Sequence, residues 1–212
     1  PSTPTTSLMH PKQAYFKKMA IASDTPLVAS RFLNFSSQLC CEQALHFVAS
    51  MVSDDAEIRD YFLENHIISL ICPLILDTSP DSILLPSSLV LAALCGVTHT
   101  GSLPTLDFIQ PAFTPLGHLL FSENDQILTN VLQAFSLILP GVRPDYSIIA
   151  RILELINTNP SPAVVQHALR VVMRVAKSDP IQTTAFLARG LLDSVKLMLT
   201  SEHASVRSGS LD

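Results

Sequence analysis

The stretch SPAVVQHALRVVMRVAK, at residues 161–177, has the apolar period of an α-helix. The residues that fall on one helical face are Val164, Ala168, Val171, Val172 and Val175. Apolar and polar residues do not alternate strictly, and a run of 17 residues is longer than an ordinary strand. The stretch therefore predicts one long amphipathic helix.

Three further segments share this pattern and this length. They are SSQLCCEQALHFVASMV at 36–52, DSILLPSSLVLAALCGV at 81–97 and ENDQILTNVLQAFSLIL at 123–139. Each begins with polar or acidic residues of the types that cap or charge a helix start. Medium apolar blocks precede the long segments, at 25–33, 66–76, 113–121 and 148–156, and another lies at 190–199. A shorter helical piece precedes some of these blocks, at 11–20, 56–65 and 180–189.

The long segments recur at a nearly constant spacing. His46, Leu89, Gln133 and Arg170 occupy equivalent positions in them, separated by 43, 44 and 37 residues. That period, with three helices per unit, predicts an all-α, right-handed α-solenoid of about four to five armadillo (ARM) repeats. Because a unit this small cannot cover its own apolar face, neighbouring units must stack. The long helices are then expected to line a concave inner surface.

The pattern divides the chain into repeats. We predict a disordered leader at 1–9 and ARM repeats at 10–53, 54–98, 99–141 and 142–178, with a partial repeat at 179–212. The repeat at 142–178 is short because its first helix is reduced. The chain ends where a fifth long helix is expected to begin, which predicts a piece of a longer protein.

Composition narrows the classes of partner. Hydrophobic residues make up 48% and charged residues 15%, so the chain can bury a large core. The net charge of −5 disfavours nucleic acid as a partner, because nucleic-acid binding depends on clustered Lys and Arg. No apolar stretch reaches the ~18 residues that a membrane span needs, so we expect no membrane partner. Four cysteines without metal-binding spacing suggest buried apolar residues in a reducing, intracellular compartment.

No catalytic or cofactor-binding motif stands out. The sequence lacks G-x-S-x-G, G-x-x-x-x-G-K-[ST], G-x-G-x-x-G and H-E-x-x-H, and its seven His are scattered. We therefore expect no enzyme activity, no cofactor and no metal site, and a protein or peptide as the partner.

Four long blocks resemble importin α, an armadillo family of nuclear-import adaptors. They are CEQALHFVASMVSDDAEIRDYFLENHIISLICPLIL at 41–76, LVLAALCGV at 89–97, PTLDFIQPAFTPLGHLLFSENDQILTNVLQAFSLILPG at 104–141 and PAVVQHALRVVMRVAKSDPIQTTAFLARGLLDSVKLML at 162–199. The resemblance runs from about residue 11 to residue 212, and the lengths between blocks agree. It implies a protein of the cytoplasm and nucleus that holds basic nuclear localisation signal (NLS) peptides in its concave groove. It also implies importin β as a partner, through a segment outside this chain.

The implied groove departs from the family pattern. In the family, W-x-x-x-N on successive long helices supplies Trp slots for Lys and Arg stems and Asn amides for the peptide backbone. Here the Trp places hold His46, Leu89, Gln133 and Arg170, and the Asn places hold Ser50, Ala93, Leu137 and Arg174. The resemblance implies that these eight positions line the peptide-binding groove, without the Trp and Asn side chains.

Three positions agree with the family pattern. Arg170 corresponds to an Arg that a central importin α repeat carries in place of Trp. Asp54 corresponds to a carboxylate that pairs with a cargo Lys, although it also suits the start of the next helix. Gln43 corresponds to a polar groove residue. His46 is either a pH-sensitive groove residue or a partly buried helix His.

Two hypotheses follow for the partner. The first is an import adaptor for basic peptides. The second is an armadillo scaffold of the cytoskeletal, adhesion or signalling type, whose groove takes an acidic or apolar segment. Leu89, Ala93 and Leu137 favour the second hypothesis, because they make the groove more apolar than a Lys-binding one. Arg170 and Arg174 lie one turn apart and are suited either to an acidic segment or to solvent.

Overall fold

The computed structural model of the chain describes residues 19, 23–33, 37–76, 78–96, 103–142, 144–193 and 196. All regular secondary structure among these residues is helical, which confirms the all-α prediction. The leader predicted at 1–9 lies outside the described residues. So do most of the helical piece predicted at 11–20 and half of the apolar block at 190–199; residues 191–193 and 196 of that block are helical.

Eleven helices are seen in the described part of the chain. They are α1 (Thr25–Leu33), α2 (Gln38–Asp54), α3 (Ala56–Glu64), α4 (Ile67–Ile71), α5 (Asp81–Leu94), α6 (Leu106–Ile109), α7 (Phe113–Leu119), α8 (Asp125–Ile138), α9 (Tyr146–Thr158), α10 (Pro162–Ser178) and α11 (Pro180–Leu187). Single 3₁₀ turns continue α4, α6 and α8, at Cys72–Leu74, Gln110–Ala112 and Leu139–Gly141. The four predicted long helices are α2, α5, α8 and α10, each within three residues of its predicted ends.

Three helices per unit predict a first helix before α7, but its residues were not located from the sequence. Four residues, Leu106–Ile109, form it, and a 3₁₀ turn at Gln110–Ala112 leads on to α7. One helical turn is too short to show an apolar period, so this helix has no signal in the residue pattern.

The lengths of the helices increase along α6–α8, from 4 to 7 to 14 residues. In α3–α5 the first helix has 9 residues and the second 5, which reverses the predicted order of a shorter piece before a medium one. The helices α9 and α10 form a pair. The repeat boundaries themselves stay predictions.

Specific side chains fix where several helices begin and end. The Asp55 carboxylate accepts hydrogen bonds from the backbone N–H groups of Glu57 (2.8 Å) and Ile58 (3.2 Å), which caps the start of α3. Asn124 does the same for α8. At the end of α5, Gly96 takes a φ of 101°, a left-handed conformation that glycine adopts without strain.

The long helices pack side by side in chain order, α2 on α5, α5 on α8 and α8 on α10. Each places a fully buried residue in the shared core: Val48, Leu91, Leu132 and Val171. Phe113 on α7 meets Phe135 on α8 edge to face, with ring centroids 5.6 Å apart. Burying one such side chain contributes about 1.5–3 kcal/mol, so most of the stability comes from packing between helices.

The cysteines divide into two groups. All four are free thiols, and Cys41 and Cys95 are buried whereas Cys40 and Cys72 are half-buried. Burial raises the pKa of the Cys95 thiol to about 12, so it stays protonated at neutral pH. The expected burial therefore holds fully for two of the four.

Among the described residues, no helix is both long enough and apolar enough to span a bilayer.

Replacing Asp55 by Ala should lower the free energy of unfolding by about 1–2 kcal/mol, because two N–H groups at the start of α3 lose their acceptor. The Asp55→Asn variant should lower the free energy of unfolding much less, because the amide oxygen of Asn124 caps α8 in the same way. Urea titration followed by far-UV circular dichroism measures both variants. Equal losses for Ala and Asn would show that capping is not what Asp55 contributes.

Candidate functional site

The long helices α2, α5 and α8 are joined at their starts, and α10 packs against α8. Gln38 at the start of α2 donates a hydrogen bond to the Ser82 hydroxyl at the start of α5 (2.8 Å). Asn124 at the start of α8 donates to the Asp81 carboxylate on α5 (2.8 Å). Because the N-terminal ends of α2, α5 and α8 are in contact, side chains at equivalent positions in these helices lie next to one another. We call the exposed stripe along α2, α5, α8 and α10 the long-helix face.

The first predicted row lies on this face. His46 and Arg170 are exposed, Leu89 keeps 40% of its surface, and Gln133 is half-buried. Each long helix therefore brings one side chain of this row to the surface. The Leu89 side chain gives this face an apolar group that can contact the apolar stem of a ligand side chain.

The second predicted row reaches the surface at three of its four positions. Ser50 and Arg174 are exposed and Leu137 is half-buried, but Ala93 is only 2% exposed. The helix α5 is packed by α2 on one side and α8 on the other. A single methyl group does not extend beyond these neighbours, so Ala93 contributes core and no groove contact. Its assignment as a groove residue is corrected here.

The two remaining predicted residues lie on α2. Gln43 is exposed and borders an open hollow of about 490 Å³ between α1 and α2, whose other walls are apolar. Asp54 is the last residue of α2, and its side chain lies outside the described residues. Both assignments stay predictions.

Polar bridges between long helices were not foreseen from the sequence. Besides the two at the helix starts, Asn130 donates to the Ser88 hydroxyl (2.9 Å), and Gln133 contacts His167 with 3.3 Å between side-chain nitrogens. The paired residues are 34 to 44 positions apart, close to the repeat period. Polar residues that recur at the repeat period are the signal that could have identified these bridges.

His167 lies at the junction of α8 and α10. Burial lowers its pKa, and the positive charge of Arg170 lowers it further. His167 is therefore neutral at neutral pH. Its Nδ1 atom is buried and has no hydrogen-bond partner among the described residues.

Charge is distributed unevenly over the long helices. The sequences of α2, α5 and α8 contain acidic residues, Glu42, Asp54, Asp81 and Asp125, and no Lys or Arg. The sequence of α10 contains Arg170, Arg174 and Lys177 and no acidic residue. We call Arg170, Arg174 and Lys177 the basic stripe. Lys177 is exposed like the two arginines, and it was not among the residues predicted to line the groove. The spacing of these three residues, four and then three positions, could have revealed it.

The described residues contain no group of His, Cys, Asp and Glu side chains that could hold a metal ion. The groups that the long-helix face offers to a ligand are amides, hydroxyls, apolar side chains and charged side chains. These groups can hydrogen-bond a peptide backbone and pair with charged side chains.

Comparison with known proteins identifies relatives by sequence. No protein-family model matches the chain. Importin subunit alpha-1b of Oryza sativa subsp. japonica is 22% identical over 192 residues, which cover 88% of this chain and 35% of that protein. Importin subunit alpha-8 of Arabidopsis thaliana is 24% identical over 169 residues, covering 76% of this chain and 36% of that protein. The chain thus spans about a third of the length of these curated relatives.

Solved structures share the fold. A designed armadillo repeat protein superposes with a TM-score of 0.75 at 15% identity, covering 92% of this chain and 82% of the designed one. Another, determined in complex with the peptide (KR)4, has a TM-score of 0.78 at 15% identity with the same coverage. The chain therefore has the armadillo-repeat fold and is a divergent relative of the importin alpha subunits.

Proposed function

We propose that this chain is part of a non-catalytic adaptor that holds an extended peptide of another protein across its long-helix face. The observation that carries the proposal is the row His46, Leu89, Gln133 and Arg170, one accessible side chain per long helix on adjacent helices. A designed armadillo protein of similar fold was determined with a bound peptide. An extended peptide rises about 3.3 Å per residue and the helices lie about 10 Å apart, so each helix meets about three residues.

The cargo that we propose is a basic nuclear localisation peptide. The relatives are importin alpha subunits, and the peptide in the designed complex, (KR)4, is basic. The helices α2, α5 and α8 carry carboxylates and no Lys or Arg, which favours a cationic segment over them. Nuclear protein import, residence in the cytoplasm and nucleus, and importin β binding through a segment outside this chain belong to the same proposal.

Binding of a labelled (KR)4 peptide, followed by fluorescence anisotropy, tests the cargo. We expect saturable binding with a Kd of about 1 μM or lower at ~50 mM salt, weakened at ~150 mM because screening reduces charge pairing. Asp54→Lys should weaken it about tenfold by replacing a carboxylate with a like charge.

Glu64→Lys is the matched control for that variant, because Glu64 is exposed at the end of α3 rather than on a long helix. It makes the same change in net charge. No binding of (KR)4 even at low salt would exclude the cargo proposal for this chain, and equal weakening by both variants would exclude a role for Asp54.

The missing Trp and Asn side chains give a second test. Gln133→Trp with Leu137→Asn rebuilds W-x-x-x-N on α8, at two half-buried positions. The new indole can stack on a Lys or Arg stem, which contributes about 0.5–2 kcal/mol, so the affinity for (KR)4 should rise about 2- to 30-fold. Leu137→Asn alone is the control and should change the affinity much less. An unchanged affinity in the double variant would place the peptide away from this row.

A second candidate function is a scaffold for a partner that is not an NLS, of the cytoskeletal, adhesion or signalling type. The 40% exposure of Leu89 and the two exposed arginines on α10 favour it. Under this alternative, an acidic or amphipathic peptide binds the long-helix face and (KR)4 does not. The same anisotropy assay with both peptides distinguishes the two functions.

A further inference from the structure

The basic stripe on α10 has three members on one side of the helix. Arg170, Arg174 and Lys177 follow at intervals of four and three residues, and all three are exposed. Residues with these intervals are neighbours on a helix surface, with Cβ atoms about 5–6 Å apart. Like charges at this spacing repel one another, so the free protein keeps the stripe at a small cost in stability.

Nothing in the described part of the chain neutralises this stripe. None of the three side chains forms an ion pair or hydrogen bond with another described residue, and α10 contains no acidic residue of its own. Two other arginines do form ion pairs. Arg59 is bound by Asp60 at 2.7 Å, and Arg151 by Glu154 at 3.1 Å. The stripe is therefore available for charge pairing with a second molecule.

The described elements around α10 carry carboxylates at Asp125, Glu154 and Asp179, and none of them forms an ion pair with Arg170, Arg174 or Lys177. The neighbouring helix α8 presents Gln133 and Leu137, which are uncharged. On α9, Glu154 is occupied by Arg151. Asp179, which follows α10, accepts a hydrogen bond from the backbone N–H of Ile181. No described carboxylate is therefore paired with the stripe.

We propose that α10 binds an acidic segment, rich in Glu or Asp, that is continuous with the peptide lying over α2, α5 and α8. The inference rests on the proposed function and adds to it that the recognised sequence is charge-polarised. At about three residues per helix, it consists of a basic block of about nine residues and an acidic block of about three. Arg170, Arg174 and Lys177 pair with the acidic block.

The helices α2, α5 and α8 contain acidic residues, whereas α10 contains basic ones. This difference favours a peptide with a basic and an acidic block over a ligand that is negatively charged along its whole length. A nucleic acid that crossed the four long helices would pass three helices, α2, α5 and α8, that contain carboxylates and no Lys or Arg. A net charge of −5 also repels such a ligand. A short acidic block avoids these three helices, because its contact is limited to α10.

Three labelled peptides of about 12 residues test the inference, each with the same basic block. In the first, Glu residues follow the block; in the second, Glu residues precede it; in the third, Gln residues replace Glu. One of the two Glu peptides should bind about 3- to 30-fold more tightly than the Gln peptide at ~50 mM salt, the range that two or three exposed ion pairs supply. Arg170→Glu with Arg174→Glu should abolish this advantage.

Arg31→Glu is the control, because Arg31 is exposed on α1, away from the stripe. It should leave the advantage of the Glu peptide unchanged. Circular dichroism of each variant verifies that the fold is retained.

The outcomes separate the two proposals. If the Gln peptide binds and Glu adds nothing in either order, the inference is wrong and the adaptor function stands. If basic blocks do not bind but an all-Glu peptide binds through Arg170 and Arg174, the NLS cargo and the charge-polarised sequence are both wrong, and only the binding of acidic peptides by α10 stands. An oligonucleotide that displaces the Glu peptide with equal affinity would overturn the assignment to an acidic peptide.

Discussion

Side-by-side packing of the long helices is the contact on which the rest of this structure depends. Every long helix is amphipathic or largely apolar, and a unit of two or three helices leaves part of that surface uncovered. Stacking α2 on α5, α5 on α8 and α8 on α10 covers it, and residues such as Leu91 and Leu132 then have no exposed surface. Hydrogen bonds at the helix starts, from Gln38 to Ser82 and from Asn124 to Asp81, set the register of neighbouring helices.

The same packing produces the long-helix face. Because the helices are aligned in register, the side chains that point away from the core fall into rows, and each row carries one residue per helix. A chain held in an extended conformation has a regular repeat of its own, so it can meet such rows at regular intervals. The residues in the rows then decide which chain is held. Here they are an imidazole, a Leu, an amide and a guanidinium, followed by a basic helix.

Much of the fold could be predicted from the sequence, since a helical period and a repeat spacing are properties of the residue order. The long helices have 14 to 17 residues, so their apolar residues repeat over several turns and the helical period is visible in the sequence. The single turn at Leu106–Ile109 is too short to show this period. The family pattern also located a row of accessible side chains. It failed at Ala93, because whether a methyl group reaches the surface depends on neighbours from two other repeats. The polar bridges and the isolation of the basic stripe depend on the same long-range packing.

We propose that the long-helix face is the binding surface, with its row of side chains in contact with the ligand. The decisive measurement is a crystal structure of this chain with a bound peptide that carries a basic and an acidic block. We expect the peptide in an extended conformation beside His46, Leu89, Gln133 and Arg170, with the acidic block on α10. A peptide seated on the surface formed by α4, α7 and α9, with the row left open to solvent, would contradict it.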